Sequence, residues 1–258
     1  CYMTISKSKK ILVTGACGFI GSHLCELLTQ KGYNVVAFDR YNINNNYGWL
    51  ENSKYRNKIE FVLGDIRDYD SVYRVMKNTD ICIHLAALIG IPYSYTSPLA
   101  YIKTNYEGTY NILEAARIFK IQQVLITSTS ETYGNLLYEP IDELHQQTGN
   151  SPYSASKIAA DQLAISYYKS FDTPVKIIRP FNVYGPRQSN RAIIPTVINQ
   201  VIRSNTISLG NLNIKRDFTF VLDTCLAIES IINSKKCIGE IINIGSNINH
   251  SVHDIVKT

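Results

Sequence analysis

Short apolar runs alternate with longer amphipathic stretches through the first two-thirds of the chain. The short runs fall at residues 11–14, 34–38, 59–63, 81–85, 123–127 and 175–179. They are mostly β-branched, the pattern of parallel strands covered on both faces. Between them, 20–31, 71–77, 99–119 and 152–171 carry apolar residues at helical spacing. Pro98 is suited to start the third of these helices. Strands alternating with helices in this order predict an α/β fold built on a doubly wound parallel sheet.

The pattern changes after Pro180. Gly185-Pro186 marks a turn, followed by an expected helix at 194–203, short strands at 206–209 and 217–220, and a helix at 223–233. Residues 241–244 read as a strand returning to the main sheet. Ser251 suits the N-cap of a helix beginning at Val252. This divides the chain into a main domain at 8–180, to which 222–246 return, and a smaller, partial lobe at 181–221 and 247–258.

Composition narrows the class. With 45% hydrophobic and 18% charged residues, the 258-residue chain reads as globular, not disordered. No apolar run reaches the ~18 residues that suggest a membrane span. Lys and Arg total 26 against 21 Asp and Glu, a net +5. That mild, scattered excess suits an anionic small molecule and is no nucleic-acid footprint. Cys1, Cys17, Cys25, Cys82, Cys225 and Cys237 contain no CxxC pair, and read as reduced thiols of a cytoplasmic protein. His23, His145, His250 and His253 form no cluster, His84 sits inside a strand, and no metal site is expected. The polar stretch at 6–10 gives way directly to a core strand, so no signal peptide is expected.

The first strand runs into Thr14-Gly15-Ala16-Cys17-Gly18-Phe19-Ile20-Gly21-Ser22. Three glycines at this spacing, between strand and helix, form a dinucleotide-binding loop. Gly15 permits the tight turn, Gly18 lets the backbone approach a pyrophosphate, and Gly21 lets the helix pack on the sheet. The N–H groups at the helix start, around Phe19 and Ile20, face the phosphate charge. Asp39 ends the second strand, where a carboxylate accepts from ribose hydroxyls and favours NAD. Arg40 follows directly and could pair instead with a 2′-phosphate. Asp65-Ile66 falls near the expected adenine edge, although a turn aspartate explains the spacing nearly as well.

Two further segments carry chemistry. Thr129-Ser130-Glu131 lies at the C-terminal end of the fifth strand, the edge where open α/β sheets bind ligands. Tyr153 and Lys157 stand four apart on a helix and share one face. A phenol has a pKa of ~10, and a neighbouring ammonium lowers it, so Tyr153 is read as a base for a sugar hydroxyl, with Thr129 hydrogen-bonding the same hydroxyl.

These residues, with His84-Leu85-Ala86-Ala87, Asn105-x-x-Gly108, Arg179-Pro180-Phe181-Asn182-Val183-Tyr184-Gly185-Pro186-Arg187 and Arg216-Asp217-Phe218, resemble the extended short-chain dehydrogenase/reductases of the NAD-dependent epimerase/dehydratase family. The resemblance runs from Lys10 to Lys257. It implies a Rossmann domain, NAD as cofactor with Ala86 lining its site, and a nucleotide-sugar substrate. It also implies Asn105, Asn182, Arg187, Arg191 and Arg216 on the substrate side, and a homodimer paired through its long helices. Thr129-Ser130-Glu131 is similar to the catalytic triplet of the 4,6-dehydratases, and Tyr47-Gly48-Trp49-Leu50 and the segment at 87–95 look like the dehydratases of the legionaminic acid pathway. That implies dehydration of UDP- or GDP-N-acetylglucosamine, with Tyr153 as base at C4 and Glu131 as base at C5. Ser130 stands where dTDP-glucose dehydratases carry an aspartic acid. A 4-epimerase, a UDP-glucuronate decarboxylase and a non-catalytic NAD-binding regulator are the alternatives. The internal Met3 and the helix at Val252, cut at Thr258, suggest a piece of a longer protein.

Overall fold

The computed structural model describes residues 5–204 and 206–258. Cys1 and Met3 lie outside the described residues. The main sheet has seven parallel strands: β1 (Lys10–Thr14), β2 (Asn34–Arg40), β3 (Glu60–Gly64), β4 (Ile81–His84), β5 (Gln123–Thr127), β6 (Val175–Pro180) and, far along the chain, β9 (Ile241–Ile244). Their order is β3-β2-β1-β4-β5-β6-β9. The chain builds outward from β1 to β3, then crosses back to place β4 on the other side of β1. Strand order therefore reverses between β1 and β4, which opens a crevice above their C-terminal ends.

Helices cover both faces. Helices α1 (Phe19–Gln30) and α8 (Val221–Ile232) close one face, where Leu24, Leu28, Cys225 and Ile228 pack on Ile11, Val13, Ile81 and Ile83. Helices α2 (Tyr69–Met76), α5 (Gly108–Phe119) and α6 (Pro152–Phe171) close the other, where Met76, Ile112, Ala116 and Ala164 pack on Leu12, Cys82, Val124 and Ile177. Alternate residues of each central strand thus enter opposite cores, which is why these strands read as unbroken apolar runs. Asp68 caps α2 by accepting from the Asp70 and Ser71 N–H groups. Ser151 and Ser154 form a capping box at the start of α6.

Two expectations are corrected. The helix expected at 99–119 is broken into α4 (Pro98–Tyr101), a π-helical segment Ile102–Glu107, and α5. The π segment carries Asn105, whose side chain reaches out of the helix to the loop after β4, and Gly108 sits so close to Ile66 that a Cβ would lie 2.7 Å from its side chain. No strand forms at 206–209; there the Ser208 N–H donates to the Gln200 side chain at 2.7 Å instead of to a neighbouring strand. A second, three-stranded sheet forms instead from β7 (Asn182–Tyr184), β8 (Lys215–Phe220) and β10 (Asn249–Ser251), in the order β10-β8-β7.

Helix α3 (Ile91–Thr96) was also not anticipated. The helix from Val252, α9 (Val252–Lys257), forms as expected and is capped by Ser251 with Asp254. Helix α7 (Ile193–Arg203) completes the set. The five described cysteines are free. Among the described residues no helix is long and apolar enough to cross a membrane, and no group of His, Cys, Asp and Glu could hold a metal ion.

Candidate active site

The glycine loop lies at the crevice. Gly15 adopts φ +67°, and a Cβ there would lie 2.9 Å from the Ala86 backbone nitrogen. A Cβ on Gly21 would lie 2.1 Å from the Gly15 carbonyl oxygen, so α1 packs directly on the turn. Gly18 differs. Its φ is −79°, open to any residue, and the nearest atom to a Cβ is 3.4 Å away. Neither conformation nor packing asks for glycine there. What glycine leaves is open space at the start of α1, where the N–H groups of Phe19, Ile20 and Gly21 lack partners within the helix. That cradle fits a pyrophosphate.

The rim of the loop is fixed from two sides. Asp39 Oδ2 accepts from the Cys17 N–H at 2.6 Å, and Oδ1 from the Arg40 N–H at 2.7 Å. Burial, then the Asp39 charge, pushes the Cys17 thiol up to about 12, so it stays protonated. The turn Gly48–Leu50 packs over the loop, with the Trp49 N–H donating to the Cys17 carbonyl at 3.3 Å. The Asp65 carboxylate is held by Arg67, whose hydrogen bonds keep it below the usual carboxylate range. Ile66 is buried, and its carbonyl accepts from Asn111 Nδ2 at 2.9 Å.

A directed hydrogen-bond chain joins this loop to the other half of the site. The Ala86 N–H donates to Thr14 Oγ1 at 3.2 Å, and Thr14 Oγ1 lies 2.7 Å from His84 Nδ1. On the far side His84 Nε2 lies 3.2 Å from Thr109 Oγ1, which itself donates to the Asn105 carbonyl at 2.6 Å. Thr109 therefore accepts from His84, which assigns the imidazole proton to Nε2. Burial, and then the Lys157 charge, lowers the His84 pKa to about 3, so the ring stays neutral.

Tyr153 and Lys157 project from the first turns of α6 toward the end of β5, and both are buried. Lys157 Nζ donates to the Thr127 carbonyl at 3.0 Å. Thr129, the cap of the turn Ser130–Tyr133, lies against the Tyr153 phenol and opposes the effect of burial on it, and the Glu131 charge acts on the same phenol. Thr129, Ser130 and Glu131 are half-buried, open to the crevice. Thr129, Glu131, Tyr153 and Lys157 thus come together from two elements. One expectation fails. Burial pushes the Tyr153 phenol up to about 12, and Lys157 does not offset it. Burial also draws Lys157 down to about 8. The sequence showed the pair but not how completely it is enclosed.

The substrate-side residues divide. Asn182, on β7, is half-buried with no partner for its amide among the described residues. Arg216, on β8, is exposed, and its guanidinium contacts only the Lys215 carbonyl at 3.0 Å. Asp217 beside it accepts from the Ser246 and Asn247 N–H groups at 2.9 and 2.7 Å, which fixes the strand that presents Arg216. Arg191 is exposed, and its charge reaches the Tyr101 phenol, whose ring meets Tyr153 edge-on at 6.1 Å. Arg187 is bound elsewhere: it donates to Ser22 Oγ at 3.0 Å and pairs with Glu26 at 2.9 Å, both on α1. Asn105 is likewise engaged in full, by Leu88 and Ser156. These two depart from the expected substrate contacts because each meets a partner far away in sequence.

A family model described as GDP-mannose 4,6 dehydratase matches residues 12–258. The chain belongs to this family of NAD-dependent sugar-nucleotide epimerases and dehydratases. The dTDP-D-glucose 4,6-dehydratase of Dictyostelium discoideum is 33% identical over 265 residues, covering 96% of this chain and 61% of that protein. A dTDP-glucose 4,6-dehydratase from Streptomyces venezuelae, solved with NAD bound, superposes with a TM-score of 0.89 at 29% identity, covering 96% of this chain and 79% of that one. A UDP-glucuronic acid 4-epimerase from Bacillus cereus, also solved with NAD, gives a TM-score of 0.89 at 32% identity, covering 96% and 81%. The chain spans about three-fifths of the Dictyostelium enzyme's length. Family members of both reaction types are thus equally like this chain in fold.

Within this family site, sequence reasoning missed Asp161, Arg179 and Tyr101, all buried beside the Tyr153–Lys157 pair. Asp161 was within reach of spacing alone, since it follows Lys157 by one helical turn. Arg179 and Tyr101 join the site only through tertiary packing.

Proposed function

We propose that the protein is an NAD-dependent nucleotide-sugar 4,6-dehydratase. Its substrate in this reading is UDP- or GDP-N-acetylglucosamine, and its product the 4-keto-6-deoxy sugar. The observation that carries this is Glu131, a carboxylate in the same turn as Thr129 and close enough to act on the Tyr153 phenol. Epimerisation at C4 needs one base, whereas dehydration needs a second acid–base group for C5 and C6.

The Gly15–Gly21 loop, Asp39, Ile66 and Ala86 form the cofactor cradle, and NAD⁺ bound there supplies the hydride acceptor and later returns the hydride. Asp39 supports NAD over NADP, because both its oxygens point to backbone N–H groups and a 2′-phosphate would meet the carboxylate charge. In its phenolate form Tyr153 takes the proton from the C4 hydroxyl, with Thr129 orienting that oxygen; the raised pKa makes this phenolate a strong base. Glu131 removes the proton from C5, which the 4-keto group has acidified. Ser130 is a weak acid, so Glu131 carries that proton to the departing C6 oxygen, which leaves as water. Arg216, Arg191 and Asn182 hold the diphosphate; Arg suits bidentate contact with phosphate. Residues 181–221 and 247–258 form the sugar-nucleotide lobe.

The apolar residues Leu99, Ile102, Tyr106 and Tyr110 follow at helical spacing and are exposed. This stripe supports a homodimer paired through these helices, which light scattering checks.

Mass spectrometry after incubation of the protein with NAD and each sugar nucleotide tests the reaction. The expected product is lighter than the substrate by one water, with no NADH accumulating. Unchanged mass with inverted C4 assigns an epimerase, and loss of carbon dioxide from a uronate assigns a decarboxylase. Either result replaces the dehydratase reading.

A further inference from the structure

Beneath Tyr153 and Lys157 lies a buried charged group that the proposed reaction does not use. Asp161 follows Lys157 by four residues on α6, so the two side chains share a face. Asp161 has no exposed surface, and Arg179 on β6 is 1% exposed. Arg179 donates through Nε at 3.1 Å and Nη2 at 3.0 Å, both to Asp161 Oδ2, and Gln147 Nε2 reaches the same oxygen at 3.3 Å. The other oxygen, Oδ1, is buried with no well-formed hydrogen bond, as is the hydroxyl of Ser128, which lies against the carboxylate. Arg–carboxylate pairs frequently use both oxygens, one for each N–H of the fork. Here the fork holds one, and the other oxygen is left with the Ser128 hydroxyl and the charges around it.

Those surroundings contain the Lys157 ammonium. Burial disfavours that charge; the Asp161 charge opposes burial, and the Thr127 carbonyl accepts from Nζ at 3.0 Å. Burial in turn disfavours the Asp161 carboxylate, and Arg179 is the first group that opposes it. The other titratable neighbours do not supply the same effect. His84 on β4 is neutral, Tyr153 is a neutral phenol one turn earlier, and the Glu131 charge acts on Tyr153. Arg179 also lies over the Tyr133 ring at 4.9 Å, and Tyr133 donates to Asn243 Oδ1 at 2.6 Å, so the guanidinium is held from two sides.

We propose that Asp161 is a positioning residue that keeps Lys157 an ammonium at working pH, and that Arg179 keeps Asp161 a carboxylate. The series Arg179–Asp161–Lys157 thus fixes whether a positive charge stays buried one helical turn from Tyr153. The proposal rests on Tyr153 and Lys157 being the catalytic pair.

Asp161→Asn tests it, since it removes the charge at nearly constant shape. The alkaline limb of the turnover profile with the sugar nucleotide moves down by about one pH unit or more, because Lys157 loses its proton earlier. A second readout needs no substrate. Denaturation midpoints of wild type and Asp161→Asn, followed between pH 6 and 10, diverge in slope as the two lysines titrate at different pH, and the divergence vanishes when both carry Lys157→Met. A uniform loss of activity with the limb in place, or parallel stability curves, overturns the proposal. Should the asparagine fail to accumulate, Asp161→Ser removes the same charge without setting an amide against Arg179, and the same shifts are expected. If wild type turns over no nucleotide sugar, the dehydratase reading fails alone, while the stability curves still decide the role of Asp161.

Discussion

Asn105 grips the Leu88 peptide from both sides: the Leu88 N–H donates to Oδ1 at 2.8 Å, and Nδ2 donates to the Leu88 carbonyl at 2.9 Å. The second Nδ2 hydrogen goes to Ser156 Oγ on α6 at 3.0 Å. The amide thus reproduces a strand-like pairing for a loop that has left the sheet, and ties that loop to the helix of Tyr153. The π-helical segment at Ile102–Glu107 gives the extra residue that turns Asn105 toward the loop.

Asn105→Leu keeps the volume and removes all three bonds. Leaving buried polar groups unpaired costs ~1–3 kcal/mol each in general. Leu88 is only half-buried and recovers some of that from water, so a loss of about 2 kcal/mol is expected, read as a lower urea midpoint at unchanged slope. Turnover falls as well, since Ser156 lies between Tyr153 and Lys157. A midpoint within error of wild type would remove the clamp from this account.

His84 gives stability a defined pH dependence. Its pKa is about 3 in the folded chain, against about 6.5 for an exposed imidazole. Between these values the unfolded chain binds the proton and the folded chain does not, so stability is full above pH 6.5 and declines as pH falls toward 3. Over that window the decline approaches ~1.4 kcal/mol per pH unit. His84→Gln keeps an acceptor and a donor but cannot titrate. Its urea midpoint at pH 7.5 lies at or below wild type, and the gap closes or reverses by pH 5. Two lines that stay parallel would show that the imidazole is accessible to protons.

The glycine loop separates folding from binding. Gly21→Ala places a methyl group against the Gly15 carbonyl, where neither backbone can yield, and is expected to unfold the domain or prevent its accumulation. Gly18→Ala meets its nearest atom at 3.4 Å, so thermal stability stays near wild type. The methyl fills the open cradle at the start of α1 instead, and NAD affinity falls by tenfold or more, measured by calorimetry. Loss of NAD binding in Gly18→Ala without loss of the fold is the result that identifies the cradle.

Much of this was legible in the sequence for a physical reason. Five of the seven parallel strands are buried on both faces, so they appear as apolar runs, and β1-loop-α1 carries its function in its own spacing. Strands β7 and β10 have three residues each and little burial, and leave no such run. Residues 206–209 have the composition of a strand but meet no edge, and strand formation depends on a partner. Asn105 and Arg187 read as free polar side chains because Leu88 and Glu26, which occupy them, are brought near only by the fold. The spacing of Tyr153 and Lys157 was plain, whereas the burial that raises one pKa and lowers the other is a property of the packed site.

Two substitutions separate the chemical steps. Tyr153→Phe removes the base at C4 and should lower turnover by ~10²–10⁴-fold, the usual range for a general base, while NAD affinity changes little. Glu131→Gln leaves the first step in place. Under the dehydratase reading it stops the loss of water but still transfers hydride, so NADH absorbance at 340 nm rises on adding substrate and persists. Full dehydration by Glu131→Gln would sink the role of Glu131 as the base at C5.

Arg187 and Arg216 look equivalent in the sequence and are predicted to behave in opposite ways. Arg187 adopts φ +71°, and its guanidinium bridges Ser22 and Glu26 on α1. Both ends of that ion pair are about one-fifth exposed, so it is screened only in part. Arg187→Ala removes it and leaves the Glu26 carboxylate unpaired. The expected result is a loss of about 1 kcal/mol in stability, with the KM for sugar nucleotide little changed. Arg216 forms no ion pair among the described residues, and its strand is fixed by Asp217 rather than by its own side chain. Arg216→Ala therefore leaves the urea midpoint where it was and raises KM by tenfold or more, because a charge-assisted contact to phosphate contributes about 1.5–3 kcal/mol. Arg216→Lys recovers only part of the loss, since a lysine cannot contact two phosphate oxygens in a fixed fork. If instead Arg187→Ala raises KM and Arg216→Ala lowers stability, the diphosphate lies on the α1 side of the crevice, and the substrate lobe has been oriented the wrong way round.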